Sequence, residues 1–115
     1  MGQLTTHILD TTHGGPAAGV AIRLFSFGDQ REQIAYAVTN ADGRTERALL
    51  EAETMVTGTY ELEFDIGDYF KSRNAAVDEP AFLDTVVIRF SVKGDEHYHV
   101  PLLCSPYAYS TYRGS

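Results

Sequence analysis

The chain carries four histidines, His7, His13, His97 and His99, that are candidates for proton chemistry. Imidazole is the side chain whose unperturbed pKa lies closest to neutrality, so each can give or take a proton under mild conditions. His97 and His99 flank Tyr98, a spacing that puts both rings on one face of a strand. Such a pair can chelate a metal, but only with a third ligand; otherwise it is two exposed or hydrogen-bonded imidazoles. His7 lies between Thr6 and Ile8, where a lone histidine is more often structural, and His13 sits in a glycine-rich turn open to water. Arg44 directly follows Asp42-Gly43. It reads as a solvated loop cation, or as a fork of N–H donors for a planar, oxygen-rich ligand. Arg113 has the same two readings, as a ligand fork or as a partner for a carboxylate that pins the tail. Ser110 and Ser115 lack the Gly-x-Ser-x-Gly elbow of a serine hydrolase. Gly14-Gly15 runs into Pro16 and a strand rather than a helix, so no phosphate loop is present.

These residues need elements to hold them, and the pattern is that of strands. Leu4 to Thr11, Val20 to Phe25 and Gln33 to Thr39 are predicted strands, separated by turns at His13-Gly14-Gly15-Pro16, Gly28-Asp29 and Asn40-Ala41-Asp42-Gly43. A short strand is predicted near Thr45–Arg47. Gly58 to Asp65 alternates Tyr60, Leu62 and Phe64 with Glu61, Glu63 and Asp65, which places one face in a core and the other in water. Asp65 to Asn74 breaks that period, with Tyr69 and Phe70 three to four residues after Ile66, a spacing for one or two helical turns. Thr85 to Val92, His97 to Leu103 and Tyr107 to Ser115 complete the set. The last of these puts Tyr107, Tyr109 and Thr111 on one face and Ala108, Ser110 and Tyr112 on the other. Seven or eight short strands and one short helix predict an all-β, two-sheet antiparallel sandwich.

Composition bounds the rest. The 115 residues suit one domain with one core, spanning 1–115, and 43% hydrophobic with 22% charged residues is ordinary globular material. One cysteine, Cys104, excludes an intrachain disulfide and a cysteine-based zinc site. The net charge of −7 argues against a nucleic-acid partner. No apolar run approaches the roughly 18 residues of a spanning helix, and Met1 to His7 shows no secretion signal, so no membrane is expected and a cytoplasmic location is.

Several segments, taken together and in order, resemble the 5-hydroxyisourate hydrolases, a transthyretin-like enzyme family. They are Thr6-His7-Ile8-Leu9-Asp10, Gly15-Pro16-Ala17-Ala18, Asp42-Gly43-Arg44, Gly67-Asp68-Tyr69-Phe70, His97-Tyr98-His99-Val100-Pro101-Leu102-Leu103, Ser105-Pro106-Tyr107 and Ser110-Thr111-Tyr112-Arg113-Gly114-Ser115. Each piece alone is weak, but the ordered set is specific. The resemblance implies a transthyretin-like sandwich with a short helix after the fifth strand, assembled as a homotetramer, a dimer of dimers with its sites at the subunit interface. It implies hydrolysis of 5-hydroxyisourate, a urate-derived ring, to 2-oxo-4-hydroxy-4-carboxy-5-ureidoimidazoline, with no metal and no organic cofactor. The family's functional positions fall on His7, Arg44, His99 and Ser115, with Tyr112 and Arg113 lining or supporting the substrate. The terminal Ser115 would then bring a hydroxyl and a carboxylate to the site. Either His7 or His99 can serve as the base that activates water. Cys104 stands where the family more often has an aliphatic residue, and Ala108 replaces a frequent glycine.

Two other readings have distinct signatures. A small-ligand carrier on the same fold would do no catalysis, and fold alone does not decide between them. A polar channel lined by histidine and arginine suits an apolar cargo poorly. A metal hydrolase built on His97 and His99 would lose activity on chelation.

Overall fold

The computed structural model describes residues 2–75 and 77–114. Among these, eight strands and one helix run in the order β1 (Gln3–Asp10), β2 (Gly15–Pro16), β3 (Ala21–Phe27), β4 (Arg31–Val38), β5 (Gly58–Asp65), α1 (Ile66–Ser72), β6 (Thr85–Val92), β7 (His97–Ser105) and β8 (Ala108–Thr111). They form two four-stranded sheets, β2-β1-β7-β8 and β4-β3-β5-β6. One core cluster lies between them and takes Leu4, Ile8, Leu102 and Cys104 from the first sheet and Ile22, Leu24, Leu62 and Phe64 from the second.

Strict alternation explains how these strands sit. In β1 the buried positions are Leu4, Thr6, Ile8 and Asp10, so Gln3, Thr5, His7 and Leu9 face outward. In β7 Tyr98, Val100, Leu102 and Cys104 turn inward, leaving His97, His99 and Leu103 on the outer face. Period-2 patterning therefore delivers the histidines to one surface. The short helix has the opposite logic: Ile66, Tyr69 and Phe70 recur at helical spacing and are all buried.

The expected two-sheet, mainly antiparallel sandwich with one short helix is present, and four details of the expectation need correction. First, the sandwich is not wholly antiparallel, because β1 and β7 pair in parallel from Gln3 opposite His97 to Asp10 opposite Cys104. Secondly, Thr45–Arg47 is not a strand. The chain bridges the edge of β1 on either side of this segment, Arg44 with His7 and Leu50 with Leu4; residues 45–49 must then span only Thr5 and Thr6 of β1, so they loop out instead of pairing.

Thirdly, the last strand is short. β8 ends at Thr111, Tyr112 and Arg113 leave the ladder, and Gly114 returns to bridge His99. Pro101 supplies the reason. His99 turns its carbonyl towards the tail, accepting from the Gly114 N–H at 2.7 Å, and two residues on, Pro101 presents the same edge without an N–H. Its carbonyl accepts instead from the Thr111 hydroxyl at 2.8 Å. Fourthly, the acidic face of β5 meets arginines rather than water alone. Arg23 donates to Glu63 and to both oxygens of Asp65, Arg31 to Glu61 and Glu63, and Arg89 to Glu61.

Candidate active site

The site is built on the outer face of the β1–β7 pair. The parallel register sets Thr5 opposite His99 and His7 opposite Pro101, so the two rings lie on neighbouring strands of one surface. Their sequence separation of 92 positions hides this proximity completely.

A tight turn brings the arginine. Asn40 organises it: its side-chain oxygen accepts from the N–H groups of Asp42 and Arg44, its carbonyl accepts from Gly43 N–H at 2.9 Å, and its own N–H donates to Arg44. An asparagine bonding its own backbone two residues on is a recurrent turn device. Gly43 has φ of +74°, and a Cβ there would sit 2.4 Å from the Ile8 carbonyl oxygen. Only glycine satisfies both demands. The turn then locks onto β1 through Ile8 N–H, which donates to the Gly43 carbonyl at 2.8 Å. Arg44 is left opposite His7, exposed and with its guanidinium uncommitted to any salt bridge among the described residues.

Each histidine has one ring nitrogen occupied. His7 Nε2 lies 2.8 Å from the Asp42 carbonyl oxygen. A carbonyl only accepts, so Nε2 carries the hydrogen and Nδ1 is the atom left over. His99 Nδ1 lies 2.8 Å from the Thr5 hydroxyl, which leaves Nε2. Burial, then the charges of Arg44, His7 and His97, hold the His99 imidazole below its usual range. The neutral ring therefore prevails at neutral pH.

The remaining sequence candidates fall in different places. Gly114 packs on His99, while Ser115 lies outside the described residues. Arg113 reaches Glu96 at 3.2 Å and the His97 carbonyl at 3.0 Å, with its guanidinium 4.0 Å over the Tyr98 ring. Its fork is thus used to fasten the tail. Arg113 and Tyr112, the latter 60% exposed, border a hollow of about 240 Å³ between the edges of β6 and β8. His97 is exposed on the same face as His99, and no cluster of three metal-ligating side chains exists among the described residues. His13 belongs elsewhere. It lies beside buried Asp10 and stacks on Phe70, where Asp10 also accepts from Tyr69 OH. Three contributors were not read from the sequence as part of a site: Asn40, the Asp42 carbonyl and Thr5. The Asn-x-x-Gly turn signal pointed to the first two; nothing local points to Thr5.

Known proteins are similar to this chain along its whole length. The sequence model of the HIUase/Transthyretin family matches residues 4–114. A Pseudomonas aeruginosa protein named 5-hydroxyisourate hydrolase is 53% identical over 117 residues, covering 100% of this chain and 93% of that protein. The structure of Klebsiella pneumoniae 5-hydroxyisourate hydrolase superposes with a TM-score of 0.83 at 36% identity, over 100% of both chains. Transthyretin from Sparus aurata gives 0.86 at 29% identity, over 97% of this chain and 96% of its own. With two four-stranded sheets, a short helix after β5 and a match running through all of them, the chain belongs to the HIUase/Transthyretin family.

Proposed function

We propose that the chain hydrolyses 5-hydroxyisourate to 2-oxo-4-hydroxy-4-carboxy-5-ureidoimidazoline, a step in urate breakdown, without metal or organic cofactor. The observation that carries this reading is the pairing of a neutral-biased imidazole, His99, with a second imidazole and a guanidinium that has no salt-bridge partner among the described residues, all on one open surface. Family membership and the name of the Pseudomonas relative support the substrate.

The chemistry divides among the residues as follows. Water attacks a ring carbonyl while neutral His99 accepts its proton at Nε2, the nitrogen that Thr5 leaves open. Negative charge gathers on the carbonyl oxygen, and Arg44 stabilises it with N–H donors and a fixed positive charge. The C–N bond then breaks, and the departing nitrogen takes a proton delivered from the histidine pair. His7, fixed through Nε2–H to the Asp42 carbonyl, orients water or substrate from Nδ1. Ser115 joins these three as a catalytic position, and Tyr112 and Arg113 support the site from the tail, Arg113 by fastening it to Glu96 and the His97 carbonyl.

Assembly is part of the proposal: a homotetramer, formed as a dimer of dimers, with the sites at the subunit interface. The outer face of β1–β7 is open in a single chain, and the free edges of β6 and β8 border one hollow at the same side of the sandwich. A cytoplasmic location accords with a lone, buried thiol that needs no oxidising compartment. No described helix is long and apolar enough to cross a membrane.

The test is the ultraviolet decay of freshly generated 5-hydroxyisourate. The protein should accelerate it, and chelator should leave the rate unchanged. No acceleration, combined with tight thyroxine binding, would replace the enzyme with a carrier.

A further inference from the structure

The ring of His99 is held from two sides by residues that do not touch its free nitrogen. On one side the Thr5 hydroxyl meets Nδ1 at 2.8 Å. On the other, Gly114 lies so close that a Cβ there would fall 2.7 Å from His99 Cδ2 and 3.3 Å from Cβ and Cγ. The main chain is tied at the same point, since Gly114 N–H donates to the His99 carbonyl at 2.7 Å.

Neither feature follows from the needs of the fold. Threonine on the outer face of a strand is ordinary, but valine forms strands as well and would serve equally there. The hydroxyl of Thr6, its neighbour in β1, donates to a backbone carbonyl, Val100 O. That of Thr5 engages a side chain, and this is its one hydrogen bond among the described residues. Gly114 shows no left-handed backbone, so its missing side chain is explained by the approach of the ring rather than by a turn.

We infer that Thr5 and Gly114 are positioning residues that together fix the rotamer and ring orientation of His99 and so present Nε2 to the substrate. An imidazole can rotate by 180° about its Cβ–Cγ bond, exchanging Nδ1 with Cδ2. The hydroxyl favours the orientation with nitrogen beside Thr5, and the glycine leaves space for carbon on the opposite side. A second partner that selects tautomer and orientation is the usual way a protein prepares a working histidine. The inference rests on the proposed hydrolysis for its rate readout, but the ring orientation can be measured without it.

The experiment compares wild type with Thr5→Val, Thr5→Ser and Gly114→Ala. Steady-state hydrolysis is measured beside the ¹H–¹⁵N long-range correlation of the His99 ring and the thermal midpoint. Thr5→Val should lower kcat about tenfold or more with KM changed less than about threefold, the scale of losing one orienting hydrogen bond on a working histidine. Its His99 correlations should turn from one tautomer to a mixture. Thr5→Ser, which keeps the hydroxyl, should restore both rate and spectrum. Gly114→Ala should lower kcat as well, and combining it with Thr5→Val should cost less than the product of the single effects, because both act on one ring. Wild-type kcat and an unchanged tautomer in Thr5→Val would overturn the inference, as would equal losses in Thr5→Val and Thr5→Ser. If wild type itself does not hydrolyse 5-hydroxyisourate, the functional reading fails, while the spectrum still decides whether Thr5 and Gly114 orient the ring.

Discussion

His7 donates a hydrogen bond from Nε2 to the backbone carbonyl of Asp42, 2.8 Å away. That direction is forced by the acceptor, so the neutral ring keeps its lone pair on Nδ1. The imidazole is thereby anchored by one end and chemically available at the other.

Glutamine separates the two ends. His7→Gln carries an amide nitrogen that can still donate to the Asp42 carbonyl but offers no comparable proton exchange. Its thermal midpoint should stay close to wild type while kcat falls by about 10²-fold or more, the usual contribution of an acid–base group. Full activity in this variant, measured by the ultraviolet decay assay, would remove His7 from the chemistry.

Arg44 should be visible in the pH profile. Its cation lies near His99 and helps hold that imidazole below its usual range, after burial. Removing the cation makes the protonated ring less unfavourable, so the pKa of His99 rises. Arg44→Gln should therefore move the acid limb of log(kcat/KM) to higher pH, besides lowering the plateau. An acid limb that stays in place would show that the arginine charge does not reach His99.

Asp10 ties the helix to the sheet, and this tie should weaken in acid. Burial pushes its carboxyl up, but hydrogen bonds from His13 and Tyr69 outweigh that, leaving it below the usual 3.8. A carboxylate with a lowered folded-state pKa stabilises the fold fully above its unfolded pKa, and the contribution is lost as pH falls through the lowered value. Asp10→Asn should flatten the fall in urea stability below about pH 4. Tyr69→Phe, which deletes the 2.8 Å bond to Asp10, should cost about 1–2 kcal/mol at neutral pH, with kcat unchanged. Unaltered acid dependence in Asp10→Asn would refute this account.

Cys104 should be silent. Burial pushes its thiol up to about 12, with a further push from the Asp10 charge, so almost no thiolate exists at neutral pH. Native protein at pH 8 should react with a disulfide reagent only as fast as it unfolds. Rapid labelling of the folded protein would mean that the strand opens locally.

How much of this was legible beforehand depends on what each feature obeys. Strands followed from period-2 alternation, and α1 from the spacing of Ile66, Tyr69 and Phe70, because burial acts on every residue of an element. The turn at Asn40–Gly43 was legible because its residues answer to local backbone geometry. The parallel pairing of β1 with β7 was not, since pairing partners are a property of two distant segments. Thr5 stayed invisible for the same reason: its role depends on the register that brings His99 opposite it. The tail was misread as continuous strand because Pro101, which interrupts it, lies on the neighbouring strand rather than in the tail. The resemblance of the ordered motifs supplied His7, Arg44 and His99 as a set, and the structure added which nitrogen of each histidine is free.

The parallel contact of β1 and β7 also governs when the site comes into being. Thr5 and His99 stand 94 positions apart, and a contact of that span carries nearly the full entropic cost of closing the chain. Local pieces such as the Asn40–Gly43 turn or the β3–β4 hairpin can form early without it. Refolding protein should thus regain most of its β-sheet signal before any hydrolytic rate returns. Activity, in such an experiment, reports the moment at which the two ends of the polypeptide find each other.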